Sequence, residues 1–87
     1  MVDIEEQKRK MTKRLQYYED VLSRRPDGYK RMKLRYSIPN TRRALMKIEE
    51  GTYEFCDSCG SRIDERRLLA VPAALRCRDC QEDVEVR

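Results

Sequence analysis

Apolar residues recur along the first half of the chain at the spacings of a helix. Ile4, Met11, Leu15, Tyr18 and Leu22 follow one another at intervals of seven, four, three and four, with Lys8 at the remaining position of the stripe. Val21 and Tyr17 widen it, while Glu5, Glu6, Arg9, Lys10, Lys13 and Arg14 fall on other faces, where Glu5 can meet Arg9 and Glu6 can meet Lys10. Asp3 suits the positive end of a helix dipole. Residues 25–28, Arg-Pro-Asp-Gly, then break the pattern: Pro26 presets its own backbone angle and Gly28 accepts a positive φ, so a turn is predicted there. Beyond it Leu34, Ile38, Thr41, Leu45 and Ile48 repeat at three and four, up to Gly51, a C-cap of the second helix.

Pro39 interrupts that second stripe. A helix starting near Ser37 would run about 21 Å to Glu50, whereas a kinked helix from Tyr29 would run about 33 Å, close to the roughly 34 Å of residues 2–24. Length matching favours the longer, kinked helix, and two such helices pair antiparallel as a hairpin whose tip lies near residues 24–33. The stripe is narrow, as befits a two-helix seam.

From Thr52 the pattern changes to short segments around four cysteines. Cys56 and Cys59, then Cys77 and Cys80, form two Cys-x-x-Cys pairs separated by seventeen residues. A two-residue gap lets both thiolates of a pair face one metal ion, and two pairs at this separation predict a tetrahedral site for one structural zinc ion (Zn2+). Two disulfides are the alternative, but no apolar leader stands at Met1, and free thiolates suit a reducing, cytoplasmic setting. Gly60 can turn back with positive φ so that N–H groups approach the sulfurs. Ile63, Leu68, Leu69, Val71 and Leu75 are the expected packing beside the metal, Pro72 ends any helix begun at Asp64, and residues 81–86 add a short terminal helix. The predicted fold is mainly α: a two-helix hairpin (coiled coil) over residues 1–51, then a four-cysteine zinc finger over 52–87.

Composition sharpens this picture. With 41% charged residues, one Phe and no Trp in 87 residues, the chain has little to bury, and a metal is the expected supplement. No apolar run reaches the length of a membrane span. The net charge of +4 is uneven: residues 1–50 carry fourteen Lys/Arg against eight Asp/Glu (+6), and residues 51–87 carry six against eight (−2). Residues 24–35 concentrate six cations, Arg24, Arg25, Lys30, Arg31, Lys33 and Arg35, against Asp27 alone. With Tyr29 and Tyr36 among them, this stretch suits nucleic acid, the alternative being tyrosines in the seam and a solvated charged face. Catalysis is not expected: the chain has no histidine, and a closed four-thiolate set leaves zinc no open position. Oxidation of the thiolates with metal release would make a sensor, against the plainer structural role.

The residues around the cysteines resemble the DksA/TraR zinc-finger family of bacterial RNA polymerase-binding transcription factors. The likeness covers residues 44–81: Ile48, Gly51 and Tyr53 before the first pair, Gly60 and Ile63 after it, Arg67, Leu68, Ala70, Pro72 and Ala74 in the spacer, and Gln81 after the last cysteine. The resemblance implies a zinc finger at the base of an antiparallel coiled coil that enters the polymerase's secondary channel and modulates initiation. Two departures matter. The family's tip carries paired aspartates, whereas here Asp27 stands among Arg24, Arg25, Lys30 and Arg31, so these five are the candidate partner-binding residues, with Asp20 nearby. The family's cations for the alarmone ppGpp correspond to Val71 and Gln81 here, so ppGpp dependence is expected to be weak or absent.

Overall fold

The computed structural model describes residues 2–86, and Met1 and Arg87, the outer ends of the expected hairpin and finger, lie outside the described residues. Four helices follow one another: α1 (Ile4–Ser23), α2 (Gly28–Glu50), α3 (Glu65–Ala70) and α4 (Arg78–Val86). Among the described residues no strand forms, and Phe55 and Arg62 make an isolated antiparallel bridge.

α1 begins at Asp3, whose carboxylate accepts the Glu6 N–H at 3.1 Å and so satisfies one of the free donors of the first turn. α2 begins in the same way, with Asp27 accepting the Lys30 N–H at 3.0 Å, and ends at Gly51 with φ 80, the left-handed C-cap expected for it. Pro39 lies inside α2, which runs through it unbroken as the longer of the two readings required. Its missing N–H leaves the Arg35 carbonyl without its usual helical donor, tolerable on an exposed side of the helix.

The turn differs from expectation. It occupies residues 24–27, and Gly28 is already helical. The residue with positive φ is Arg25, at 54°. Once Asp27 takes the extended cap conformation, Gly28 becomes the first helical residue and the positive φ falls three positions earlier, at Arg25.

The hairpin seam is also shifted. Ile4 is 37% exposed and Leu22 40%, whereas Gln7, which breaks the apolar pattern, is buried with Met11. Leu34, Ile38, Thr41, Ala44 and Lys47 form the buried side of α2, with Leu15, Tyr18 and Val21 half-buried. Lys8 to Glu49 at 3.0 Å and Arg42 to Glu19 at 3.5 Å join the two helices across the rim of the seam.

One core unites the hairpin base with the cysteine region. Val2, Met11 and Ala44 pack with Tyr53, Cys56, Ile63, Leu68, Ala74 and Leu75. Leu69 and Val71, expected in this cluster, point away at 52% and 48% exposure, because α3 is only six residues long and buries a single face through Leu68. α4 starts at Arg78, inside the second cysteine pair and three residues earlier than expected.

Candidate metal centre and hairpin tip

The four cysteines come together. None is joined in a disulfide, and the four Sγ atoms lie within 4.8 Å of one another. Cys59 and Cys77 Sγ are 3.8 Å apart, the separation that a tetrahedron with Zn–S bonds of about 2.3 Å imposes, roughly 3.8 Å. The donor set and its spacing fit one structural zinc ion.

Local backbone geometry explains how each pair is shaped. The Cys56 N–H donates to Ser61 O at 2.8 Å and the Gly60 N–H returns to Cys56 O at 3.0 Å, closing a loop that needs Gly60 at φ 76. Inside that loop the N–H groups of Ser58 and Cys59 point at Cys56 Sγ at 3.3 and 3.4 Å. Burial alone would hold the Cys56 thiol neutral, but the N–H groups of Cys59, Cys77 and Ser58 outweigh it and lower the thiol to about 6. Cys59 is lowered as well, by hydrogen bonds from Ser61. Cys80 is pushed up by its sulfur contacts with Cys77 and Cys59, so one thiol gives up its proton last, and metal binding must displace it.

Two buried polar side chains from the helices fix these loops, and neither stood out in the sequence pattern. Lys47 is 1% exposed; its Nζ donates to Phe55 O and, at 3.3 Å, to Leu75 O, and lies 3.4 Å from the Asp57 carboxylate. Phe55 and Asp57 flank Cys56, and the Asp57 N–H itself donates to Leu75 O at 2.8 Å, so one ammonium group ties both cysteine loops to α2. Arg43 adds bonds to Asp57 at 3.2 and 3.3 Å. Burial disfavours the Asp57 charge, yet the Arg43 hydrogen bond and the Lys47 charge hold its carboxyl below the usual range. On α1, Gln7 Nε2 donates to Leu68 O at 2.7 Å and to Tyr53 Oη at 3.1 Å, and Tyr53 Oη donates in turn to Pro72 O at 2.7 Å. The one available signal was position: Gln7 and Lys47 are polar residues on the buried stripes, Lys47 three residues after Ala44 and Gln7 four before Met11.

The candidate tip residues lie at the other end, about 28 Å along α2 from Lys47 to Gly28. Arg24, Asp27 and Lys30 line a groove of about 670 Å³ between the helices, floored by Tyr17, Tyr18, Val21 and Leu34. Arg25 and Arg31 stand outside it. Both tip carboxylates are engaged within the chain: Asp27 caps α2, and Asp20 pairs with Arg24 at 2.9 Å. At the base, Val71 and Gln81 line a shallower cavity of about 190 Å³ with Asn40, Arg67 and Arg76. No helix among the described residues is long and apolar enough to cross a membrane.

Comparison with known proteins places this geometry. The model of the prokaryotic dksA/traR C4-type zinc finger matches residues 51–86. An uncharacterized protein of Aquifex aeolicus is 52% identical over 42 residues, which cover 48% of this chain and 29% of that one. The RNA polymerase-binding transcription factor DksA of Escherichia coli (strain K12) is 40% identical over 50 residues, covering 58% and 33%. The aligned stretch thus spans about a third of the length of these curated relatives. Among solved structures, the RNA polymerase binding protein and transcriptional regulator Dks from Chlamydia trachomatis superposes over 98% of this chain and 92% of its own, with a TM-score of 0.63 and 33% identity. The transcription factor DksA2 from Pseudomonas aeruginosa, 22% identical, shares the fold over 97% of this chain and 78% of its own, with a TM-score of 0.55. With its C4 cluster, its helical hairpin and a relative matched over nearly the whole of both chains, the protein belongs to the DksA/TraR C4-type zinc-finger family.

Proposed function

We propose that this protein binds bacterial RNA polymerase and regulates transcription initiation, with the hairpin inserted in the secondary channel and no catalysis of its own. The observation that carries this reading is the end-to-end match to the Chlamydia trachomatis protein, itself an RNA polymerase binding protein and transcriptional regulator. In this reading residues 1–51 are the inserted hairpin, residues 52–87 the finger, and Cys56, Cys59, Cys77 and Cys80 the ligands of one zinc ion that holds the base. A polymerase partner also assigns the protein to the cytoplasm.

At the tip, Arg24, Arg25, Lys30 and Arg31 are the contacts in this reading, and Asp27 is the acidic candidate. Asp27 already accepts a helix N–H, which supports a positioning role for its carboxylate ahead of a chemical one. Asparagine caps a helix as well as aspartate does, so Asp27→Asn removes the charge with little loss of stability, whereas Asp27→Ala costs about 1 kcal/mol. If Asp27→Asn regulates transcription as wild type does, the carboxylate charge has no part in the activity.

For ppGpp we expect weak or absent dependence. Val71 and Gln81 offer no cation, and the Nε–H groups of Arg67 and Arg76 are engaged by Arg76 O and Ser58 Oγ at 3.2 Å each. Affinity purification of tagged, zinc-loaded protein with polymerase core and holoenzyme at low salt tests the main reading, and absence of binding would sink it. In vitro transcription with and without ppGpp tests the second point, which strong potentiation would contradict.

A further inference from the structure

One face of α2 near the tip has no partner among the described residues. Tyr29, Met32 and Tyr36 are 69%, 62% and 71% exposed. They stand at i, i+3 and i+7, one side of a helix, while Leu34 and Ile38 fill the seam on the opposite side. Lys33 shares the exposed face, its Nζ 5.0 Å from the centre of the Tyr29 ring. Seven residues of helix set the two tyrosines about 10 Å apart.

The charge around this face is one-sided. Among the described residues, Lys33 on this face and Lys30 and Arg35 on its flanks have no carboxylate within ion-pairing distance, and Asp27 is held in its cap. Charge complementarity would therefore favour an anionic occupant. An acidic peptide would answer the cations but has no use for two exposed rings. A single-stranded nucleic acid answers both, because its phosphates meet the Lys and Arg side chains and its unpaired bases stack on aromatic faces. A duplex hides its base faces and would gain only the charge.

We propose that the Tyr29–Met32–Tyr36 face of α2, with Lys33 and the neighbouring cations, binds single-stranded nucleic acid through stacking and phosphate contacts, with little sequence preference. The site is separate from the metal centre, and the proposal does not rest on polymerase binding.

The test uses the full-length, zinc-loaded protein and fluorescein-labelled oligothymidylate of about twelve nucleotides, followed by anisotropy. Three or four phosphate contacts should weaken binding about 20- to 50-fold between roughly 50 and 200 mM salt. Tyr29→Ala and Tyr36→Ala should each weaken it about fivefold or more, while Tyr→Phe at either position keeps the stacking face and the affinity. Lys33→Gln should lower the salt slope by about 0.7. Both tyrosines are exposed, so the variants are expected to keep the wild-type circular dichroism and zinc content, which the experiment verifies. Four results would each overturn the proposal: no binding at low salt, equal competition by duplex DNA of the same length, equal competition by poly-glutamate at matched charge, or alanine variants that bind like wild type. A Tyr29→Ala/Tyr36→Ala protein that loses the oligonucleotide but still co-purifies with polymerase would separate the two activities.

Discussion

An ammonium group with 1% exposure, like that of Lys47, is stable only while its acceptors stay in place, and these flank the first cysteine and approach the second pair. Replacing Lys47 by Met keeps most of the side-chain volume and leaves two carbonyls and part of the Asp57 charge unmatched. Because Arg43 still holds Asp57, the expected cost is about 2–4 kcal/mol, with faster zinc loss to a chelator, measurable by urea denaturation and by a colorimetric zinc indicator. Tyr53 gives a pH signature. Burial raises its phenol above the ordinary value of 10.0, so the unfolded chain releases this proton at lower pH than the folded one. Its contribution to stability is complete below pH 10 and declines as pH climbs from there toward the folded value. The gap in melting temperature between wild type and Tyr53→Phe should be constant below pH 10 and narrow as the pH rises above it; a gap that stays constant above pH 10 would argue against the assignment. Such residues escape a reading of the sequence because their partners are remote: Gln7 reaches Tyr53 46 positions away, and Lys47 reaches Leu75 28 away. The cysteines were legible for the opposite reason, since a two-residue gap is itself the geometry.

Among the elements, the helices were legible wherever periodicity met a cap: Asp3 and Gly51 each end a helix where their chemistry requires, while Asp27, expected within the turn, caps α2. Gly51→Ala would force a Cβ into the left-handed region and should cost about 1 kcal/mol, seen as a lower melting temperature. The turn was legible as a turn but not in its details. Its glycine went to the helix, and the left-handed conformation fell on Arg25, where a side chain is disfavoured. Arg25→Gly is therefore expected to leave the hairpin as stable as before or up to about 1 kcal/mol more stable, a result that thermal melts can check. The seam is less legible because hydrophobicity alone does not determine burial here. Ile4 stays 37% exposed, while Gln7, one turn on, is covered by Tyr53 and Leu68 from a region whose position no helical pattern encodes.

For the molecule as a whole, the shared core makes the metal everyone's concern. Cys56 packs in the same cluster as Met11 and Ala44, so releasing the cysteine loops uncovers both helices at their base. A structural zinc site contributes roughly 10–16 kcal/mol of apparent free energy, comparable with the entire stability of a small domain. Chelation should therefore abolish the helical circular dichroism in one cooperative step, and re-addition of zinc should restore it. A helical signal that survives chelation would show instead that the hairpin stands alone. The same architecture has a mechanical side. The hairpin is gripped at the base by that core and by Lys47 and Gln7, while toward the tip the seam opens into the groove lined by Tyr17 and Leu34. It is a cantilever: with an arm of about 28 Å, a tilt of about 5° at the root carries the tip some 2.5 Å sideways. Substitutions around the cysteines that leave the protein folded can thus re-aim a tip they never touch.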